Sequence, residues 1–371
     1  MKRILITGGA GFIGSHLADE LLEHGYAVRV LDNLCPQVHG ERTEPPEYLS
    51  RDVEFIYGDM REAATVRRAL HGADAVFHLA ASVGVGQSMY EIAAYTNNNN
   101  YGTSVLCQCI ADGCALEKLI VASSMSIYGE GMYVDGRGHA AASARRSAEQ
   151  LRAGRWELYT AEGEELKPIA TTEEKQPDLA SIYALSKYDQ ERMCLITGAA
   201  YGVPTVALRL FNVFGTRQAL SNPYTGVLAI FASRLLNDNP PMVYEDGLQR
   251  RDFVHVRDVA CAMRLALEKE DARDDVYNIG SGRSWAIVDV AAMLAEVMEK
   301  RIDPLITGKY RAGDIRHCFA DNSKARRVLG YVPQVSMEEG LCELTEWLAG
   351  QVSVDKVEAA NEQLISRGLT I

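Results

Sequence analysis

Arg3-Ile4-Leu5-Ile6-Thr7-Gly8-Gly9-Ala10-Gly11-Phe12-Ile13-Gly14 opens the chain with a short apolar run that passes at once into a glycine-rich turn. The stretch after it, Gly14–His24, repeats apolar residues at helical spacing. Strand, glycine turn and helix in that order let backbone N–H groups approach a pyrophosphate, whose charge the helix N-terminus favours. Asp32 closes the next apolar run, 18 residues after Gly14. A carboxylate there accepts both adenosine ribose hydroxyls and repels a 2′-phosphate. The spacing therefore predicts a dinucleotide site for NAD rather than NADP, built on Gly8, Gly11, Phe12, Ile13, Gly14 and Asp32.

Working outward, apolar runs bounded by turn residues recur at Arg3–Ile6, Ala27–Leu31, Glu54–Tyr57, Ala75–Leu79, Lys118–Ala122 and Thr205–Leu210. Helical patterns fall between them at Glu62–Leu70, Asn99–Asp112 and Ser181–Ala200. Short strands apolar on both faces, each followed by a helix, imply a parallel sheet covered on both sides, a doubly wound α/β (Rossmann) architecture. The predicted organisation is a dinucleotide-binding domain over 1–215 carrying an insert at about 130–180 that is poor in aliphatic residues. A smaller substrate-binding domain over 216–350 follows, with segments at about 252–280 returning to the first domain, and then a peripheral tail over 351–371. Within the smaller domain, helices are expected near Thr225–Asn237 and Val288–Lys300, with a strand and turn near Met242–Arg251.

The 371 residues suffice for a large core, and 50 acidic against 38 basic residues give a net charge of −12. A broad phosphate-neutralising surface for nucleic acid is excluded on that balance, so a polyphosphate ligand has to be gripped locally. No apolar run reaches the ~20 residues of a membrane span, and the chain reads as a cytoplasmic protein without a membrane partner. The eight cysteines show no C-x-x-C and no paired spacing with His, so they read as reduced, and no metal is expected.

Tyr183-Ala184-Leu185-Ser186-Lys187 sets a phenol and an ammonium one helical turn apart. A free phenol titrates near pH ~10 and is a poor base at neutrality; a neighbouring ammonium favours the phenolate. The same pair also occurs as an exposed surface pairing. Val121-Ala122-Ser123-Ser124 ends a buried strand, which puts Ser124 at the carboxyl edge of the sheet, either hydrogen-bonding a substrate hydroxyl or satisfying a turn. Gly58-Asp59-Met60 and Leu79-Ala80-Ala81 also end strands, where open α/β sheets bind ligands. Asp59 is read as an adenine acceptor or as a helix N-cap.

These motifs, with Asp32-Asn33-Leu34, His78-Leu79-Ala80-Ala81 and Leu208-Arg209-Leu210-Phe211-Asn212-Val213-Phe214-Gly215, resemble the extended short-chain dehydrogenase/reductase family of nucleotide-sugar epimerases and dehydratases over about residues 1–345. The resemblance implies a catalytic trio of Ser124, Tyr183 and Lys187. It implies cofactor contacts from Asn33, Leu34, Asp59, Met60, Leu79, Ala80, Ala81, Ser123 and Phe211, with Asn99 beside the nicotinamide. On the substrate side it implies Val83, Met125 and Asn212, with Arg251, Arg311 and Asp314 around the diphosphate of a nucleotide sugar. Two guanidiniums in fork geometry would suit an acidic protein; each Arg is also explicable as an interdomain ion pair. The gap from Ser124 to Tyr183 is unusually wide for the family, because of the insert.

Members that eliminate water resemble one another in placing Asp-Glu directly after the catalytic hydroxyl residue, since that reaction needs an acid/base pair. Here Met125 and Ser126 stand there, which disfavours a 4,6-dehydratase. What fits is a 4-epimerase that oxidises and re-reduces C4. The strings Ala80–Tyr90, Ser123–Gly131 and Asn222–Val227 are most similar to the dTDP-L-rhamnose 4-epimerase subgroup. UDP-glucose or UDP-glucuronate 4-epimerases share the same catalytic residues, and a non-catalytic NAD-binding protein is the alternative from another class. The helices Asn99–Asp112 and Ser181–Ala200 occupy the positions of the family's four-helix interface, so a homodimer is expected.

Overall fold

The computed structural model describes residues 1–141 and 145–370; residues 142–144 of the expected insert and residue 371 of the expected tail lie outside the described residues. Seven parallel strands form the main sheet: β1 (Arg3–Thr7), β2 (Ala27–Asp32), β3 (Glu54–Tyr57), β4 (Ala75–His78), β5 (Lys118–Ser124), β6 (Thr205–Leu210) and β7 (Asp275–Ile279). Their order is β3-β2-β1-β4-β5-β6-β7, so the chain reverses direction of travel beside β1 and β4. A reversal of this kind opens a crevice at the carboxyl ends of the strands. The expected doubly wound architecture is what forms.

Alternation along each strand feeds two apolar layers. Ile4 and Ile6 of β1 face helices α1 (Phe12–Glu23) and, later in the chain, α6 (Val256–Glu268), with Leu17, Val259 and Met263 in that layer. Leu5 faces the opposite layer, with Val66 of α2 (Ala63–Leu70), Leu106 of α3 (Gly102–Ala111) and Cys194 of α4 (Ile182–Tyr201). Helix α4 starts where Ser181 Oγ accepts the Ala184 amide at 3.1 Å and stops at left-handed Gly202. That start puts Tyr183 in its first turn. The helix expected from Asn99 begins instead at Gly102, because Thr96–Tyr101 forms a wider π-helical turn; such turns re-aim single side chains.

Helices α5 (Val227–Leu236), α7 (Ile287–Val297) and α8 (Met337–Leu348) enclose a third core that includes Phe231, Leu235, Leu294 and Leu344. The insert has a small core of its own, Tyr133, Leu158 and Leu166, below the antiparallel pair Met132–Val134 and Lys167–Ile169. The residues past 350 are not the peripheral tail that the sequence suggests. They form helix α9 (Val357–Ser366), and the chain after it pairs with Arg311 and Ala312. Among the described residues no helix is long and apolar enough to cross a membrane.

Candidate active site

The glycine turn ends at the N-terminus of α1, whose first amides no helical carbonyl can reach. Gly8 adopts φ +69°, and a Cβ there would lie 2.8 Å from Ala80 Cα, so the turn and the end of β4 touch backbone to backbone. A Cβ on Gly11 would meet only Gly8 O, at 3.3 Å, and otherwise project into the groove. Asp32 Oδ2 accepts the Ala10 amide at 3.0 Å and Oδ1 the Leu34 amide at 2.9 Å. Each oxygen thereby keeps a lone pair for a ribose hydroxyl. Burial pushes this carboxyl up, while the two amides and His39 hold it down. Asn33 donates to Asp59 Oδ2 at 3.1 Å, and Leu34 holds φ 49°. The residues present fit a dinucleotide.

Several expected cofactor contacts also have partners within the fold. Asp59 accepts the Arg61 amide and, from one edge of the Arg61 guanidinium, its Nε and Nη2 donors, which hold it down to about 2; it is not a helix N-cap, because α2 starts at Ala63 after Glu62. The Met60 side chain packs in the core layer with Val66 and Leu106. Ser123 turns away from Ser124, as strand neighbours must. Its hydroxyl donates to Glu191 Oε2 at 2.6 Å, and Glu191 is paired with buried Arg209. Phe12 sits edge-on to His16, Ile13 and Leu79 pack on the core, and Ala81 follows Ala80 in the half-buried rim of the groove. Phe211 lines the cavity described below.

Ser124 and Tyr183 line one cavity, and Lys187 lies one turn further along α4. Ser124 Oγ accepts the Ser126 amide at 3.1 Å, which fixes the hydroxyl at the end of β5, and it shares the cavity wall with Tyr183. Burial pushes the Tyr183 phenol above its ordinary value and the Ser124 hydroxyl pulls it back. The expected help from Lys187 takes another form: its Nζ donates to Gln190 Oε1 at 2.7 Å. Gln190 in turn donates to Thr103 Oγ1 at 2.8 Å, and Thr103 donates to Asn99 O at 2.6 Å. That order leaves His78 Nε2 as the donor to Thr103, so His78 is the neutral Nε2–H tautomer; burial pushes it down to about 3. Asn99, fully buried, donates to Ser186 Oγ at 2.9 Å and grips Ser82 through both its amide ends. Gln190 was missed in the sequence; it lies seven residues after Tyr183 on the same helical face.

Burial pushes the Lys187 ammonium down to about 8. The native state therefore binds fewer protons than the unfolded chain between about pH 8 and 10.5, so stability rises with pH across that window. Below it, the buried charge costs on the order of 3 kcal/mol. Lys187→Met is expected to be at least as stable as wild type in urea unfolding at pH 7 without added dinucleotide, the difference closing as pH approaches 10.5. Its turnover should fall about 100-fold. A variant destabilised at pH 7 would contradict the sign.

A cavity of about 390 Å³ opens beside Tyr183 and brings together all seven residues expected on the substrate side: Val83, Ser124, Met125, Asn212, Arg251, Arg311 and Asp314. Asn212 Oδ1 is buried without a partner among the described residues, a polar atom waiting for a ligand. Arg251 gives Nη1 to Arg250 O and Arg316 O at 2.9 and 2.8 Å and Nη2 to Ile315 O at 2.6 Å. Of the five donors of a guanidinium, that leaves Nε–H and one Nη2–H for an anion. Arg311 pairs with Asp314 at 2.8 Å and stacks over Tyr244 at 4.5 Å.

The wall that sequence reading missed is α9. Val357, Ala360, Asn361 and Leu364 line the cavity; Leu364 reaches 3.5 Å from where a Cβ of Gly86 would sit, and Tyr244 donates to Asn361 Oδ1 at 3.1 Å. Their spacing of i, i+3, i+4 and i+7 is a helical face that the sequence does carry.

Residues 4–280 match a family described as the NAD dependent epimerase/dehydratase family. A dTDP-L-rhamnose 4-epimerase of Burkholderia thailandensis is 35% identical over 355 residues, 95% of this chain and 96% of that one. A UDP-glucose 4-epimerase of Thermotoga maritima, solved with UDP-glucose, superposes with a TM-score of 0.75 at 32% identity, over 94% of this chain and 98% of that one. A UDP-glucuronic acid 4-epimerase of Bacillus cereus, solved with UDP-glucuronic acid and NAD, gives a TM-score of 0.75 at 27% identity, over 94% and 99%.

Proposed function

We propose, from the premise that this chain belongs to the NAD-dependent epimerase/dehydratase family, that it inverts C4 of a nucleotide-diphosphate sugar and that its substrate is dTDP-L-rhamnose, converted to dTDP-6-deoxy-L-talose. The observation that carries this reading is one cavity in which Ser124 and Tyr183 face Arg251 and Arg311, with Met125 and Ser126 where elimination chemistry needs an acid and a base. Tyr183 takes the C4 hydroxyl proton, with Ser124 holding that hydroxyl, and gives it back after the 4-keto sugar has turned over. When bound, NAD supplies the reversible hydride acceptor. Lys187 and Gln190 hold a fixed positive charge in the low-dielectric wall behind the phenol.

The sugar assignment is supported by the apolar catalytic end of the cavity. Val83, Val85, Gly86, Met125 and Leu364 suit a C6 methyl group. Among the described residues the only charged side chains lining the cavity are Arg251, Arg311 and Asp314. Both arginines are needed at the diphosphate, so a C6 carboxylate finds no cation of its own. The assay is incubation of the purified protein with dTDP-L-rhamnose, UDP-glucose and UDP-glucuronate separately, with C4 inversion followed by proton NMR. The expected result is inversion of dTDP-L-rhamnose at a kcat/KM at least tenfold above the others. Preference for a UDP sugar would move the enzyme to the UDP-hexose reading, and no inversion of any of them would overturn the proposal.

We also propose that the enzyme is a homodimer joined through α3 and α4. Tyr101, Leu185, Ile196 and Tyr201 leave large apolar side chains exposed on or beside those helices.

A further inference from the structure

Among the described residues of the insert, only Ala180 at its edge reaches the cavity. The insert nevertheless carries a large share of the molecule's buried ionic chemistry. Arg316 has a side chain 0% exposed and all five of its N–H donors engaged. Its Nε and Nη2 donate to insert residue Glu157 Oε1 at 2.9 and 2.6 Å, its Nη1 to Glu245 Oε2 and Asp246 Oδ1 at 2.8 and 2.6 Å, and Nη2 again to Asp246 Oδ2 at 2.9 Å. Insert residue Arg146 donates to Glu245 Oε1 at 2.6 Å and to the carbonyl of Asp314 at 3.2 Å. Glu130, at the insert's start, accepts the backbone amides of Arg316 and His317. His317 Nδ1 accepts the Arg250 amide at 3.1 Å, so its Nε2–H is the donor to Glu157 Oε2 at 2.9 Å.

The insert thus holds one stretch, Asp314–His317, by its side chains, its carbonyls and its amides. That stretch is what fixes the cavity arginines. The carbonyls of Ile315 and Arg316 accept from Arg251, and Asp314 pairs with Arg311. Glu245 and Asp246 follow Tyr244, the ring on which Arg311 stacks. A shift of 314–317 would re-aim both guanidiniums, and bidentate recognition of a diphosphate tolerates little such shift.

We infer that the insert is a positioning device for the diphosphate of the substrate: Arg146, Glu157 and Glu130 hold the 314–317 segment so that Arg251 and Arg311 present their remaining N–H donors to a nucleoside diphosphate. This rests on the reading that the cavity takes a nucleotide-diphosphate sugar. None of the three touches substrate; they are positioning residues.

The test titrates dTDP and UDP into the full-length protein by calorimetry and measures KM and kcat for the sugar nucleotide that turns over. Wild type is compared with Arg146→Met, Arg146→Lys and the near-isosteric Glu157→Gln. Arg146→Met is expected to weaken nucleoside diphosphate binding and raise KM at least tenfold, with kcat at saturation within about twofold and bound NAD unchanged. Arg146→Lys should recover part of the loss, and Glu157→Gln, which keeps the shape and removes the charge, should raise KM severalfold if Arg146→Met does not fold. Folded variants with wild-type affinity and KM, or with kcat alone reduced, would overturn the inference and leave the proposed function standing. Wild type that binds neither nucleotide would remove both.

Discussion

Tyr183→Phe is expected to lower kcat by about a thousandfold while the protein keeps its bound NAD and its affinity for a nucleoside diphosphate. The change removes one oxygen from a side chain that lines the cavity, and it leaves the ring and the helix start at Ser181 in place. Neither Ser124 nor Lys187 substitutes for that oxygen. Ser124 is an alcohol, a far weaker general base than a phenolate, while Lys187 Nζ is turned to Gln190. Ser124→Ala should cost less, about ten- to a hundredfold, and in a particular way. Losing the hydroxyl that pulls the phenol down raises its pKa, so the acid limb of kcat against pH moves to higher pH. Turnover is read by proton NMR and retained NAD by absorbance after denaturation. A Tyr183→Phe enzyme at near-normal rate would take the phenol out of the mechanism.

The parts of this protein that were legible in the sequence are those governed by short-range rules. Ile4-Leu5-Ile6 followed by Gly8 admits few structures other than a buried strand entering a tight turn, and Tyr183 with Lys187 is a helical pair whatever surrounds it. What was not legible depends on which partner a group finds across the fold. Asp59 could be read as a ligand acceptor, but Arg61, two residues on, claims its carboxylate with the geometry of a fork. Ser123 and Ser124 are alike in the sequence, and only strand alternation assigns one to Glu191 and the other to the cavity. The insert offered charges without a pattern, because its partners Glu245, Arg316 and His317 lie 99 to 187 residues away along the chain. Strand β7 lies in the 252–280 stretch but was not legible as a strand, because its place alongside β6 depends on a partner about 70 residues earlier.

The C-terminal helix decides whether the cavity is a cavity. Removing residues 351–371 is expected to lower kcat/KM for the sugar nucleotide at least a hundredfold. Helix α9 bridges two walls of the cavity: Leu364, 4% exposed, lies against Gly86 on one side, while Asn361 is held by Tyr244 on the other. Without it the catalytic end of the site would stand open to water, which weakens every electrostatic interaction there and unbinds the sugar's apolar edge. The truncation also strips Asp355 and Glu358 from Arg234, a guanidinium 3% exposed. An uncompensated buried charge costs about 3–5 kcal/mol, so some loss would come from instability alone. Leu364→Asp separates the two effects. It leaves the Arg234 anchor intact and puts a carboxylate against the cavity's apolar wall, where it forces the helix outward or stays hydrated in the space the sugar needs. KM should rise at least thirtyfold with NAD retained, and the thermal melt should fall by less than that of the truncated protein. If Leu364→Asp turns over its substrate with an unaltered KM, the helix covers the cavity without shaping it.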